Sequence, residues 1–167
     1  EISEGTVRAV DVISHDGQRQ RLECTHVVST MPVKDLVAAS KDAWPAEVVS
    51  IASRLEYRDF MTVGLLYRRE DLPVALSDNW IYIQEPGVKV GRVQVFNNWS
   101  PYMVGDPETV WLGLEFFCKE DDDLWSLSDD SLKQLAQSEM KQIKLVSTST
   151  AIDATVLRVP KAYPGYF

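Results

Sequence analysis

The sequence predicts an α+β fold, a mainly antiparallel mixed sheet with helices packed on one face. Three observations predict it. Strand-like runs in which apolar and polar residues alternate fill the middle of the chain, from Phe60 to Cys118. Asp16-Gly17 and Pro86-Gly87 are turn signals that fold neighbouring runs into hairpins. Segments with apolar residues at helical spacing stand before and after that middle.

Val7 to Ile13 and Arg21 to Thr30 are β-branched runs separated by His15-Asp16-Gly17, a strong hairpin signal. Pro32 then launches a helix over Val33 to Ala39, with Ser29 or Thr30 available as its cap. A second helix starts at Pro45, carries Val48, Val49, Ala52 and Leu55 on one face and ends before Tyr57. Phe60 to Tyr67 is a strand whose central Gly64 suggests close approach by another backbone or a ligand. Thr109 to Cys118 is a strand with wholly apolar even positions and a mixed odd face that includes Trp111, Glu115 and Phe117. Ser128 caps the clearest helix, with Leu132, Leu135, Ala136, Met140 and Ile143 in register, Asp129 and Asp130 in its first turn, and Lys141 and Lys144 near its negative end. Ala154 to Val159 is a last strand, stopped by Pro160.

The most informative stretch is Asn79 to Met103. Ile81 and Ile83 alternate with Trp80, Tyr82 and Gln84, and Val93 and Val95 alternate with Arg92, Gln94 and Phe96. The aliphatics claim the core, because a slip by one residue would bury Arg92 and Gln94 instead. Trp80, Tyr82, Arg92 and Gln94 therefore share the other face. If the turn centres on Gly87, Tyr82 and Arg92 stand directly opposite one another. This wall is either covered by another layer or binds a ligand. A dry cover would have to pair Arg92 and the glutamines or leave them unsatisfied, and an arginine with tyrosine hydroxyls beside flat rings suits a phosphate or carboxylate on a base or sugar.

Bulk properties bound the rest. At 167 residues and 45% apolar composition the chain suits one domain, or a little more, with a real core. A formal net charge of −8 argues against nucleic acid or an anionic membrane as a bulk partner, while leaving room for an anionic small molecule held by local arginines. No apolar run approaches the roughly 20 residues of a membrane span, no leader pattern is present, and the expected location is cytoplasmic. Cys24 and Cys118 lie in apolar, strand-like runs without C-x-x-C spacing, which predicts buried reduced thiols. His15 sits in a turn and His26 reads as a core or sheet-edge histidine in a strand, so no catalytic triad or metal cluster forms; Glu120 to Asp123 reads as a solvated turn. The glycines form no dinucleotide fingerprint or P-loop. The ends, EISEGTVRAV and KAYPGYF, read as cuts within a longer protein.

One set of motifs resembles a known family. Trp80-Ile81-Tyr82, Arg92 ten residues after that tyrosine, Asn98-Trp99-Ser100-Pro101-Tyr102, and Tyr163-Pro164 ahead of a terminal aromatic together resemble the UDP-galactopyranose mutases of the FAD-dependent amine oxidase and protoporphyrinogen oxidase superfamily. The resemblance runs from about Asp78 to Phe167, and a weaker likeness covers Val27 to Pro32. It implies an internal fragment. Residues 1–32 would be strands leading from the flavin side, 33–167 a substrate-binding α+β domain, and the flavin-binding Rossmann portion would lie outside this chain. It also implies that Tyr82, Arg92, Trp99 and Tyr163 bind an anionic, nucleotide-sugar diphosphate substrate, and that Ser29, Thr30, Met31 and Pro32 approach FAD. The full protein would be an FAD-dependent mutase or oxidoreductase, and this fragment alone inactive and colourless. Trp99 and Met103 stand where the family motif has tyrosine and asparagine, which keeps a related FAD-dependent oxidoreductase with another substrate as an alternative. A non-enzymatic binding module is the third.

Overall fold

The structure, a computed structural model, describes residues 1–165 apart from the side chain of Lys41, so Phe167, the terminal aromatic of the motif, lies outside the described residues. The chain forms two compact units, one of Glu1–Tyr57 with the chain end from Pro164, the other of Arg58–Tyr163. The sequence reading places a division at Pro32. The observed unit runs on to Tyr57 because two short helices pack on one another inside it.

In the first unit β1 (Ile2–Ser3) pairs with β2 (Thr6–Val7), and β3 (Ala9–Ile13) pairs antiparallel with β4 (Arg19–Glu23). Gly17, at φ +79°, makes the turn of the expected second hairpin. The second strand of that hairpin is shorter than the predicted Arg21 to Thr30. Its ladder ends where β3 ends, at Ala9 opposite Glu23, and a single further bond follows, from Cys24 N to Arg8 O at 3.0 Å. Cys24 therefore lies beyond the strand, a half-buried free thiol, and His26 is exposed outside any sheet with Nδ1 3.0 Å from Thr25 Oγ1. α1 (Val33–Ala39) forms as predicted, but Pro32 occupies the N-cap without a side-chain cap, and Ser29 Oγ accepts from Met31 N at 3.3 Å instead. α2 (Ala46–Ser53) follows Pro45 and stops before Leu55. Val37 and Ala52 are buried, and Tyr57 OH accepts from Lys34 N at 3.3 Å.

The second unit is built on a five-stranded sheet in the order β6 (Trp80–Tyr82), β7 (Arg92–Val95), β8 (Thr109–Cys118), β5 (Tyr57–Arg68), β9 (Asp153–Pro164). β5 meets β8 in a ten-residue antiparallel register from Asp59 opposite Cys118 to Arg68 opposite Thr109. That register puts Met61, Val63, Leu65 and Tyr67 on the same side as Val110, Leu112, Leu114 and Phe116, all buried. α3 (Asp129–Gln142) covers this side with Leu132, Ala136 and Met140, and Ser128 caps it, Oγ accepting from Ser131 N at 3.2 Å. Burying a side chain of this size contributes roughly 1.5–3 kcal/mol, so the covered face carries the stability of the unit. Cys118 is buried in this layer as expected, and burial, reinforced by Asp122 and Asp59, pushes its thiol pKa up. The acidic run after it turns back on itself, Asp122 Oδ2 accepting from Lys119 N at 2.8 Å.

β9 does not stop at Pro160. It is an edge strand, where a missing N–H need cost no ladder bond, and the following Lys161, at φ +53°, is held by a bond from its N to Asp59 Oδ1 at 2.6 Å. Asp59 Oδ2 also accepts from Glu120 N at 3.0 Å. Glu139 does comparable work on the covered side. Buried in α3, it accepts from Lys89 N at 2.7 Å and Val90 N at 2.9 Å, and so fixes the return from the Gly87 turn.

Two predictions follow from this packing. Glu139→Ala orphans two backbone donors and is expected to lower unfolding free energy by about 2–4 kcal/mol in urea titration. Tyr67 OH is buried without a hydrogen bond among the described residues, and burial, with the charge of Asp71 adding, pushes its pKa up to about 12. Tyr67→Phe should therefore be no less stable than the parent at pH 7. A phenol whose folded pKa exceeds its unfolded value of about 10 contributes fully below pH 10 and loses that contribution as pH rises to about 12. Over that window the variant should gain on the parent by about 2 kcal/mol, measured as the difference between their denaturation curves at pH 9 and pH 12.

Candidate functional site on the open face of the sheet

The face of the sheet opposite α3 carries the residues singled out by alternation. β6 and β7 pair with Trp80 opposite Gln94, Ile81 opposite Val93 and Tyr82 opposite Arg92, around Gly87 at φ +85°, as the hairpin pattern predicts. The next ladder sets Arg92 opposite Glu115 and Gln94 opposite Gly113. Every second residue of three strands thus meets on this side.

At its centre is an ion pair. Arg92 donates from Nε to Glu115 Oε2 at 2.8 Å and from Nη2 to the same oxygen, while Gln94 Nε2 donates to Glu115 Oε1. Arg92 Nη2 also donates to Tyr163 OH at 3.2 Å. Three rings surround the guanidinium, with Cζ 5.0 Å from the Trp80 ring, 5.7 Å from Tyr82 and 5.8 Å from Phe117. The Arg92 side chain is 13% exposed and that of Glu115 1%, on the side of the sheet away from α3: the neighbouring side chains exclude water. Burial works against the charged guanidinium, but hydrogen bonds with Glu115, Tyr163 and Tyr82 and the charge of Glu115 outweigh it and raise its pKa.

The rings extend the site outward. Trp99 meets Trp80 edge to face at 4.8 Å between centroids and 77°, and Phe60 lies 5.7 Å from Tyr163. Two glycines let rings lie against the backbone: a Cβ on Gly113 would stand 2.7 Å from the Phe96 ring, and one on Gly91 2.7 Å from the Phe117 ring. At Gly64 the close approach predicted from sequence comes from side chains, with Thr155 Cγ2 3.0 Å and Trp111 Cζ3 3.4 Å from where a Cβ would be. Tyr82 remains 67% exposed, and Trp80, Trp99, Phe117 and Tyr163 keep a large part of their surface in water. An exposed aromatic patch of this extent marks an interaction surface rather than scattered surface residues.

Tyr82, Arg92, Trp99 and Tyr163 are therefore brought together, Trp99 through Trp80. Glu115 is the residue the sequence reading placed on the mixed face without assigning it to the site; a lone carboxylate in an otherwise apolar strand, on the same side as an arginine, is the signal. The amides of the following bend serve the fold. Asn97 donates to Thr109 O at 2.8 Å and accepts from Trp111 N at 3.0 Å, extending β8 by side-chain bonds. Asn98 donates to Leu76 O and Asp78 O, both at 3.0 Å. Ser100 Oγ accepts from Tyr102 N at 3.2 Å, and the Tyr102 ring is 98% exposed. A hollow of about 720 Å³ among Leu66, Trp111 and Ile152 does not include Arg92. Ser29 to Pro32 belong to the first unit; Ser29 and Pro32 are half-buried, Thr30 and Met31 exposed.

With this geometry in hand, comparison with solved structures is decisive for the fold. A reduced UDP-galactopyranose mutase superposes with a TM-score of 0.65 at 19% identity, covering 92% of this chain and 32% of that one. A putative protoporphyrinogen oxidase from Exiguobacterium sp. 255-15 matches with a TM-score of 0.61 at 15% identity over 95% of this chain and 33% of that one. The chain has their fold. A putrescine oxidase variant redesigned in cofactor binding shares it, with a TM-score of 0.58 at 15% identity over 89% of this chain and 31% of that one. The chain spans about a third of the length of these structures. No family model and no curated protein matches the sequence. Among the described residues no helix is long and apolar enough to cross a membrane, and no group of three or more histidine, cysteine or carboxylate side chains could hold a metal.

The division of labour in the bend is testable by denaturation. Asn97→Ala should cost about 1–3 kcal/mol through two lost bonds to β8, whereas Tyr102→Ala should stay within about 0.5 kcal/mol of the parent.

Proposed function

We propose that this chain is the substrate-binding portion of an FAD-dependent enzyme resembling UDP-galactopyranose mutase, whose anionic, nucleotide-sugar diphosphate-like substrate lies against the open face of the second unit. One observation carries the reading. Tyr82, Arg92, Trp99 and Tyr163, drawn from stretches up to 81 residues apart (82 to 163), gather on the side of the sheet that α3 leaves uncovered. In this reading Arg92 and the hydroxyls of Tyr82 and Tyr163 orient the substrate's charged group, and Trp99 stacks on its ring system.

The first unit fits an approach to a flavin. Val28 is 92% exposed, and Val27, Met31 and Val33 beside it are also uncovered, an apolar strip suited to a flat apolar ring. Ser29, Thr30, Met31 and Pro32 would supply backbone and van der Waals contact there. When bound, FAD would supply the ring that acts as nucleophile or hydride acceptor. This chain's own residues bind, orient and exclude water.

A second reading keeps the cofactor and changes the substrate. Glu115 neutralises Arg92, which leaves the centre of the wall without net charge and favours an FAD-dependent oxidoreductase acting on a less highly charged molecule. Binding measurements on the full-length, flavin-loaded protein separate the two. UDP and UDP-galactose should bind, simple amines should not, and Arg92→Ala should weaken both nucleotides at least tenfold by calorimetry. Unchanged affinity for every anion in that variant removes Arg92 from the site, and binding of amines alone selects the second reading.

A further inference from the structure

Glu115 is harder to explain than Arg92. A sheet face that merely needed a cation to meet an anion would leave the guanidinium free, and one that merely needed filling would use an apolar residue, as β8 does at every even position. Instead a carboxylate 1% exposed takes two bonds from Arg92 on one oxygen and one from Gln94 on the other, so both of its oxygens are engaged. These bonds take Nε and Nη2 of Arg92, and Nη2 also donates to Tyr163 OH, so each edge on which a guanidinium makes a two-pronged grip on a carboxylate or phosphate already has a donor engaged. The rings of Trp80, Tyr82 and Phe117 stand around the guanidinium.

We infer that Glu115 is a positioning and specificity residue for this site. It holds Arg92 end-on and cancels its charge, so that a free polyanion gains little, while a ligand that also stacks on the rings and reaches the two phenols is held. The inference rests on the proposed reading that an anionic ligand lies on this face. It adds that the preferred ligand joins its anionic group to a ring system, and that inorganic phosphates are poor ligands because Glu115 has already taken the grip they need. Gln94 belongs to the same device: with its NH2 given to Glu115, its carbonyl oxygen must turn elsewhere, which fixes an acceptor on the wall.

The test compares UDP with inorganic pyrophosphate on the full-length, flavin-loaded protein by calorimetry. In the parent, pyrophosphate is expected to bind at least tenfold more weakly than UDP; equal affinities overturn the inference. Glu115→Gln removes the charge but keeps an acceptor for Arg92, and Gln94 can answer by rotating its own amide. It is expected to tighten pyrophosphate at least fivefold and narrow the preference for UDP, and a preference within twofold of the parent's overturns the inference. Should that variant lack a cooperative unfolding transition, Glu115→Asp decides, since it retains the charge but withdraws the carboxylate by one methylene. It should keep pyrophosphate weak and lower UDP affinity at least threefold, and parental UDP affinity rules out a positioning role. Arg92→Ala separates the two levels: if it leaves UDP binding unchanged the site itself is wrong, whereas if it weakens UDP while the Glu115 variants behave as the parent, only the role of Glu115 falls.

Discussion

Arg92 stands directly across the ladder from Glu115, on the side of the sheet away from α3, and the arrangement of that side follows from this pairing. A buried carboxylate left alone would cost several kcal/mol, and so would a guanidinium enclosed by three rings, so each residue makes the other tolerable. Neither could be placed by an apolar substitute without changing what the face presents. Such pairs are weak evidence for stability, since well-packed apolar residues of similar size often serve as well. The stability of the unit comes from the other face, where the apolar residues of β5, β7 and β8 pack against α3. The two faces thus answer different demands. One holds the sheet together and the other holds a charge pair in a fixed position at its surface.

That position has to be defended where the ladders stop. β6 and β7 are only three and four residues long, too short to fix a loop by strand pairing alone. Four polar side chains, three of them buried or half-buried, make up the difference by bonding to backbone. Glu139 reaches from α3 to Lys89 and Val90, Asn97 continues β8, Asn98 draws in Leu76 and Asp78, and Asp59 ties Lys161 to Glu120. The Asp59 bonds matter to the site because Lys161 precedes Tyr163 by two residues. Lys161, at a positive φ, bends the strand there, and two residues on the Tyr163 hydroxyl meets Arg92. The open face is uncovered by helices but not unsupported.

Much of this was legible in the amino-acid sequence because period-two alternation is a strong constraint. Burying Ile81, Val93 and Val95 forces Trp80, Tyr82, Arg92 and Gln94 to the far side, and a Pro-Gly turn at Gly87 then makes Tyr82 the partner of Arg92. Interactions between strands distant in sequence were harder to read. Glu115 could be assigned to the mixed face of β8, but that it sits opposite Arg92 depends on the β7–β8 register, which no turn specifies. The amides of the bend after β7, Asn97 and Asn98, bond to backbone that the sequence does not reveal as needing partners. The same limit explains Thr25 to Thr30, where β-branched residues suggest a strand and the absence of a facing strand beyond Ala9 prevents one. Proline interrupts the ladder of a central strand, which makes Pro160 look like a stop, but β9 lies at the edge, where the missing N–H need cost no bond.

The shared fold and the particular site carry different weight. A mutase and two oxidases share this fold at 15–19% identity, and a fold by itself does not fix what its surface does. The fold supplies the open face, and the residues on it decide what can lie there. Here the deciding residues form a neutral core, Arg92 with Glu115, inside a ring of aromatic side chains and phenol hydroxyls. In a site excluded from water a bare guanidinium attracts any anion, whereas a compensated one discriminates by the direction of its remaining donors and by the rings around them. On the proposed reading, a surface built this way reads the shape and attachment of an anionic group more than its charge.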